Sequence, residues 1–221
     1  MPATWADNAN PRSLASVLRR RRFHWFSRLL SDLPRPTRIL DVGGTSDFWI
    51  RMGLKPSTGI SITLLNMPPV APEPRFFENL VGDARNMALE DKSFDVVFSN
   101  SVIEHVGDLE DQRRMAQEVV RVGRRYFVQT PNKFFPIEPH FLVPFFQFLP
   151  LASRVWLLRR FRLGWISRMP DARLARNMVE SIRLLTRSEL HELFPRAQLY
   201  EERLIGMAKS FVALDGWEGG R

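Results

Sequence analysis

Residues 38–44 read RILDVGG and residues 94–106 read FDVVFSNSVIEHV. Each is an apolar, β-branched run that stops at a glycine or polar turn, the pattern of a strand buried on both faces and feeding a loop. The same rhythm continues outward from them. Residues 59–66 (GISITLLN) predict a second strand, and 76–81 a weaker third that leads into Gly82-Asp83-Ala84. Residues 126–130, 198–204 and 207–214 predict three more. Helical patterns fall between them. One runs from Ser13, a good N-cap, to about Leu30, with Leu14, Leu18, Trp25 and Leu29 on one face. A short one covers 48–52, one follows Asp108 and leaves at Gly123 as its C′ residue, and one covers 188–194. Strands alternating with helices predict an α/β fold: a doubly wound, mostly parallel, seven-stranded sheet covered on both faces. The last two strands are joined too tightly for a crossover, so the last strand is expected to run antiparallel.

That rhythm stops only over 131–185, which is rich in proline, phenylalanine and arginine and carries a helical stripe of Leu174, Met178, Ile182 and Leu185. The expected organisation is a single domain over 1–221, with a basic amphipathic helix at 12–31 and a lid inserted at 131–185. A length of 221 residues, with 44% hydrophobic and 25% charged residues, suits one domain with a buried core. The absence of cysteine excludes disulfides, thiolate nucleophiles and cysteine-held metal, and no metal is expected. The most apolar stretch, 141–152, is short and contains Pro144 and Pro150, so it does not span a bilayer. No charged-then-apolar leader opens the chain, and a cytoplasmic protein is expected. Residues 12–31, arginine-rich and free of acids, also match a transit peptide, although an amphipathic helix explains them equally well.

The net charge of +8 is unevenly placed. Residues 12–38 hold eight arginines against Asp32 alone, 154–187 hold nine against Asp171 and Glu180, and the remainder is acidic. Such segments attract phosphates, nucleic acid or an anionic membrane surface, or they simply keep a helix face solvated.

In an open parallel sheet, ligands bind outside the carboxyl ends of the strands, where strand order reverses. Those ends carry Asp41 with Gly43-Gly44-Thr45, then Asn66, Asp83, Asn100 with Ser101, and Thr130-Pro131-Asn132. A purely structural sheet has no reason to place polar residues at the end of strand after strand.

With ILDVGGTSDFW, the GDA of 82–84, FDVVFSNSVIEHV and LLTRSELHELFPRAQL in order, the chain resembles the class I S-adenosylmethionine-dependent methyltransferases, in their broad small-molecule branch labelled type 11. The resemblance runs from about Arg38 to Leu214. It implies S-adenosylmethionine as cofactor and methyl transfer to oxygen or nitrogen of a small-molecule, glycan or lipid-linked acceptor. Asp41 and Gly43 then match the acid and first glycine of the cofactor loop, while Thr45 and Asp47 stand where the family has its further glycines and Gly44 compensates. Asn66 takes the place of the acid that grips the ribose. Asp83 matches the acid that accepts the adenine amino group, with Ala84 or Arg85 beside it, and Asn100 and Ser101 match the segment passing the activated methyl. The rival cofactor, NAD, fits less well. Its loop needs a third glycine that is absent here, and Asp41 would repel a pyrophosphate.

His105 has two readings, a base that takes a proton from the acceptor or a loop residue that supports the site with Glu104. His140, at the start of the lid in Glu138-Pro139-His140, has the same two. Phe134, Phe135, Phe141, Phe145, Phe146 and Phe148 read as lid core or as an apolar acceptor wall. Arg154, Arg159, Arg160 and Arg162 suit an acidic acceptor head or seating on an anionic membrane, peripheral to its inner face. Nucleic acid ranks below a small molecule, because the strand ends are acidic. A second function class is a cofactor-binding scaffold without catalysis that docks through the basic segments. A cavity between Asn100 and His140 separates the two. Oligomeric state leaves no mark in the sequence.

Overall fold

The computed structural model describes residues 12–53, 59–67 and 77–217. Seven strands form one sheet: β1 (Thr37–Val42), β2 (Ile60–Asn66), β3 (Phe77–Val81), β4 (Phe94–Asn100), β5 (Gly123–Pro131), β6 (Gln198–Leu204) and β7 (Met207–Asp215). Their order is β3-β2-β1-β4-β5-β7-β6. The first five are parallel, and β7 runs antiparallel to both β5 and β6. The chain therefore leaves β1 in one direction toward β3 and later crosses back to β4, which places the reversal at the carboxyl ends of β1 and β4. Phe76, read from the sequence as the start of β3, lies outside the described residues.

Helices α1 (Leu14–Ser31) and α2 (Ser46–Arg51) cover one face of this sheet, and α3 (Leu109–Val122) and α6 (Arg187–Leu193) cover the other. On the first face Phe23, Phe26, Trp49, Phe98 and Phe127 interlock, with the Phe26 and Phe98 rings 4.6 Å apart. Residues 131–185 carry α4 (Leu151–Arg160) and α5 (Ala172–Glu180) around a small core of Phe141, Phe146, Leu158, Ala175 and Val179. Local chemistry fixes the boundaries. Ser13 caps α1 and Asp108 caps α3 through their side chains, and Thr186 and Glu189 form a reciprocal capping box on α6.

Three expectations are corrected. The buried face of α1 is Phe23, Phe26 and Leu30 together with Arg22, while Leu14 is exposed and Trp25 and Leu29 are only partly covered. The stripe expected over 172–185 ends with α5 at Glu180, where Ala175 and Val179 are buried and Leu174 faces out. Gly123 is not a left-handed exit, for its φ is −88° and it opens β5 directly. A Cβ there would lie 2.7 Å from the Arg125 carbonyl oxygen, so closeness rather than handedness requires glycine.

Candidate active site

At the carboxyl end of β1 the chain turns through Gly43, whose φ of +74° favours glycine and whose added Cβ would lie 2.7 Å from both methyls of Val102. A Cβ on Gly44 would lie 1.7 Å from Asp41 Oδ2. Gly44 thus leaves room for the Asp41 carboxyl to fold back beneath the loop. There Oδ2 accepts from the Trp49 indole N–H at 2.6 Å, and Oδ1, buried, has no partner. Burial pushes the Asp41 carboxyl up to about 7, against the opposing bond from Trp49. Asn66 donates through Nδ2 to the Gly44 carbonyl at 3.0 Å and ties the end of β2 to the loop. Thr45 is the N-cap of α2 and makes no side-chain cap bond.

Beyond β3, the Arg85 guanidinium holds both oxygens of Asp83, at 2.6 to 3.0 Å, and reaches Asp111 at 3.1 Å. Its hydrogen bonds keep the Asp83 carboxyl below the usual carboxylate range. Gly43, Asn66, Asp83, Ala84, Arg85 and His105 line one cavity of about 250 Å³. Of the residues expected to bind cofactor, Asp41, Gly44 and Thr45 lie beneath or beside that cavity, and Asn100 and Ser101 line a different one.

The second cavity, about 230 Å³, opens past the ends of β4 and β5 and runs from Asn100 to His140. Its walls come from Leu14, Leu18 and Arg19 of α1, from Phe135, Leu142 and Trp165 of the lid, and from Lys209 of β7. Arg22 braces it. Its guanidinium donates to Asn100 Oδ1 at 2.5 Å and Gln129 Oε1 at 2.8 Å, and grips both Glu202 oxygens at 2.7 and 2.5 Å. Ser101 adds a bond to Gln129 at 2.8 Å, and Ser210 donates to Glu202. The sequence reading missed this network because its members come from α1, β4, β5, β6 and β7, and no local pattern links them. A larger cavity of about 420 Å³ lies between the lid and the loop at Gly107 and Asp108; of the acceptor-site candidates expected from the sequence, Phe141, Phe146 and Arg154 line it, and none of the expected cofactor-binding residues or histidines does.

The two histidines meet between the cavities. His105 lines the first and His140 the second, with ring centroids 4.8 Å apart and planes nearly perpendicular. Glu138, buried, accepts from the backbone N–H groups of His140 and Phe141 and lies 2.6 Å from His140 Nδ1. Burial disfavours charge on His140, but the hydrogen bond and charge of Glu138, with Glu104 behind it, outweigh burial and raise its pKa. Protein packed around His105 and the neighbouring His140 lower that of His105. Glu104 is fully buried, takes a bond from Thr130 at 3.1 Å on one oxygen and has no partner on the other, and burial raises it to about 7. Glu104, His105 and His140 bring their ligand atoms within 4.8 Å of one another.

These features suit a cationic nucleoside cofactor better than a pyrophosphate. An unpartnered buried carboxyl oxygen sits under the glycine turn, and amide and carboxylate groups stand at the next two strand ends. Residues 52–126 match a family described as methyltransferase domain. An uncharacterized protein of Mycobacterium tuberculosis is 43% identical over 68 residues, a match that takes in 30% of this chain and 23% of that relative's own length. Among solved structures, the CurJ carbon methyltransferase superposes with a TM-score of 0.55 at 12% identity, covering 90% of this chain and 54% of that one. A protein of Pyrococcus horikoshii superposes with a TM-score of 0.50 at 16% identity, covering 88% and 89%. The matched segment is similar to a methyltransferase domain, and the seven-stranded sheet, with its antiparallel β7 and the glycine turn at the reversal point, has the fold of the class I S-adenosylmethionine-dependent methyltransferases.

Proposed function

We propose that the protein methylates a hydroxyl group of a small acceptor held in the cavity between Asn100 and His140. The observation that supports this most is the meeting of two cavities at a histidine pair, with one ring facing each. S-adenosylmethionine, when bound, supplies an electrophilic methyl on a sulfonium. The chain must hold it, align the acceptor and remove one proton. Asp41 places a carboxyl oxygen without a partner beneath the loop, where a cation suits it. Asn66 keeps its amide oxygen free to accept from a ribose hydroxyl while its N–H bonds Gly44. Arg85 already fills the Asp83 carboxylate, so an adenine amino group would share it at the oxygen edges that remain.

On this reading His140 is the base. Its Nδ1 is fixed against Glu138, which orients the ring and leaves Nε2 to accept the hydroxyl proton. His105 supports from the cofactor side, where its lowered pKa keeps it neutral beside a cationic cofactor. Phe135, Leu142 and Trp165 exclude water. Titration calorimetry with the cofactor and with its demethylated product tests the core of this reading. Micromolar to tens-of-micromolar binding of both is expected, and no binding at millimolar concentration overturns it.

One observation favours peripheral membrane seating in addition. The lid exposes two aromatic pairs, Phe134 with Phe148 and Trp156 with Phe161, each with ring centroids 6.1 Å apart, in the same segment as exposed Arg159 and Arg160. A lipid-linked acceptor would be met there. Among the described residues no helix is long and apolar enough to cross a membrane.

A further inference from the structure

The cavity that runs to His140 contains more positive charge than its own acids neutralise. Three cations line it: Arg19, Arg22 and Lys209. Arg22 is fully engaged with Glu202, Asn100 and Gln129. The side chains of Arg19 and Lys209 have no hydrogen bond or ion pair among the described residues, although both residues are partly buried. They come from different elements, α1 and β7, so their approach is a product of the fold and not of one basic helix face. Leu18, Phe135, Leu142 and Trp165 make an apolar part of the remaining wall, and Asn100, Ser101, Asn132 and His140 a polar part.

Partly buried cations without counter-charge are expensive to hold, and each disfavours the other. Burial lowers the pKa of both and Arg22 lowers both further; on Lys209, Glu202 returns less than Arg22 takes, and Arg19 adds a smaller repulsion. Glu202 offsets only part of this charge, because both its oxygens already accept from Arg22 and one also accepts from Ser210. A partly apolar chamber of about 230 Å³ lined by two cations whose side chains have no ion pair is complementary to an amphipathic anion. We infer that the methyl acceptor carries a carboxylate, seated between Arg19 and Lys209, with an apolar body against the lid. This rests on the methyl-transfer reading above only for the word acceptor; the anion site itself stands on the cavity. It also moves acid recognition away from Arg159 and Arg160, which line none of these cavities.

The test uses a panel of aryl- and alkyl-carboxylates of six to twelve carbons, each paired with its primary amide, titrated by calorimetry into the full chain with and without S-adenosylhomocysteine. The amide keeps the shape and hydrogen bonding and removes the charge. At least one acid is expected to bind tenfold or more tighter than its amide. Lys209→Met and Arg19→Met are expected each to remove about tenfold of the acid's affinity while leaving the amide and S-adenosylhomocysteine unchanged, and Lys209→Arg is expected to restore it. A matching series of alkyl phosphonates is expected to bind more weakly than the carboxylates; tighter phosphonate binding would overturn the carboxylate assignment. If no acid on the panel outbinds its amide, the inference fails, whether or not S-adenosylhomocysteine binds. If S-adenosylhomocysteine fails to bind while the acids still do, it is the methyl-transfer reading that fails.

Discussion

Replacing Arg22 by alanine would leave Glu202 and the ends of two strands without the group that joins them. Arg22 is 7% exposed and Glu202 19%, and four hydrogen bonds run from the one guanidinium. Breaking a buried pair by removing one partner costs about 3–5 kcal/mol, because the remaining charge stays in a poor dielectric. Lys209 also attracts Glu202, which argues for the lower end, about 3 kcal/mol. For a chain of this size, that corresponds to a fall in melting temperature of about 6–12 °C. The pH dependence gives a sharper signature. Burial pushes the Glu202 carboxyl up, but the charge and hydrogen bonds of Arg22 and the bond from Ser210 outweigh it and leave it below the ordinary value. A depressed carboxyl contributes stability that is present above its unfolded pKa and lost as pH falls through the folded one. Without Arg22 the burial effect wins and the sign reverses, so Arg22→Ala should recover part of its deficit between pH 8 and pH 5. Calorimetric melts of the wild type, Arg22→Ala and Arg22→Leu/Glu202→Leu measure this, with the double variant expected within about 2 kcal/mol of the wild type. If Arg22→Ala melts within 2 °C of the wild type at pH 8, the network is not the brace described.

Asp41→Asn removes a buried acid whose raised pKa makes folding less favourable as pH rises. That contribution is fully present below the unfolded value of 3.8 and lost through about 7, so the variant should be stabilised at pH 8 by up to about 4 kcal/mol and unchanged near pH 4. The same substitution should weaken cofactor binding at least tenfold, and unaltered cofactor affinity would count against a role for the unpartnered oxygen. With His140 as base, turnover should rise with pH through an apparent pKa above 6.5, and Glu138→Gln should shift that limb downward; a flat profile from pH 6 to 8 would exclude the assignment. Arg159→Ala/Arg160→Ala should leave cofactor binding intact and reduce sedimentation with vesicles containing anionic phospholipid several-fold, and unchanged sedimentation would make the basic lid a solvated face.

What the sequence disclosed depends on how local the determining physics is. Residues 39–42 and 96–99 are buried on both faces, so their apolar runs announced two strands directly, and Ser13 and Asp108 sat where short-range chemistry put them. The turn at Gly43 was visible because glycine marks a conformation rather than a contact. Arg22 was hidden for the opposite reason. In a run of four arginines, nothing in the neighbours shows that one side chain points inward, toward partners on three strands. The role of Gly44 was equally illegible, for its missing Cβ makes space for Asp41 rather than for a ligand. The positions of Arg19 and Lys209 in one cavity follow from the docking of α1 on the sheet, a tertiary event with no signature of its own.

Because α1 and β7 face each other across the same cavity, a molecule bound there touches segments nearly two hundred positions apart, as Arg22 and Glu202 already do with a separation of 180. Its binding free energy therefore belongs to the cooperative unit as a whole. The native state gains RT ln(1 + [L]/Kd), about 2.7 kcal/mol at a hundredfold excess over Kd, and a chain of this length reports it as a melt raised by about 5–11 °C. A melting curve thus becomes an assay for the missing acceptor. Compounds can be ranked by how far they delay unfolding, before anyone knows which atom receives the methyl group.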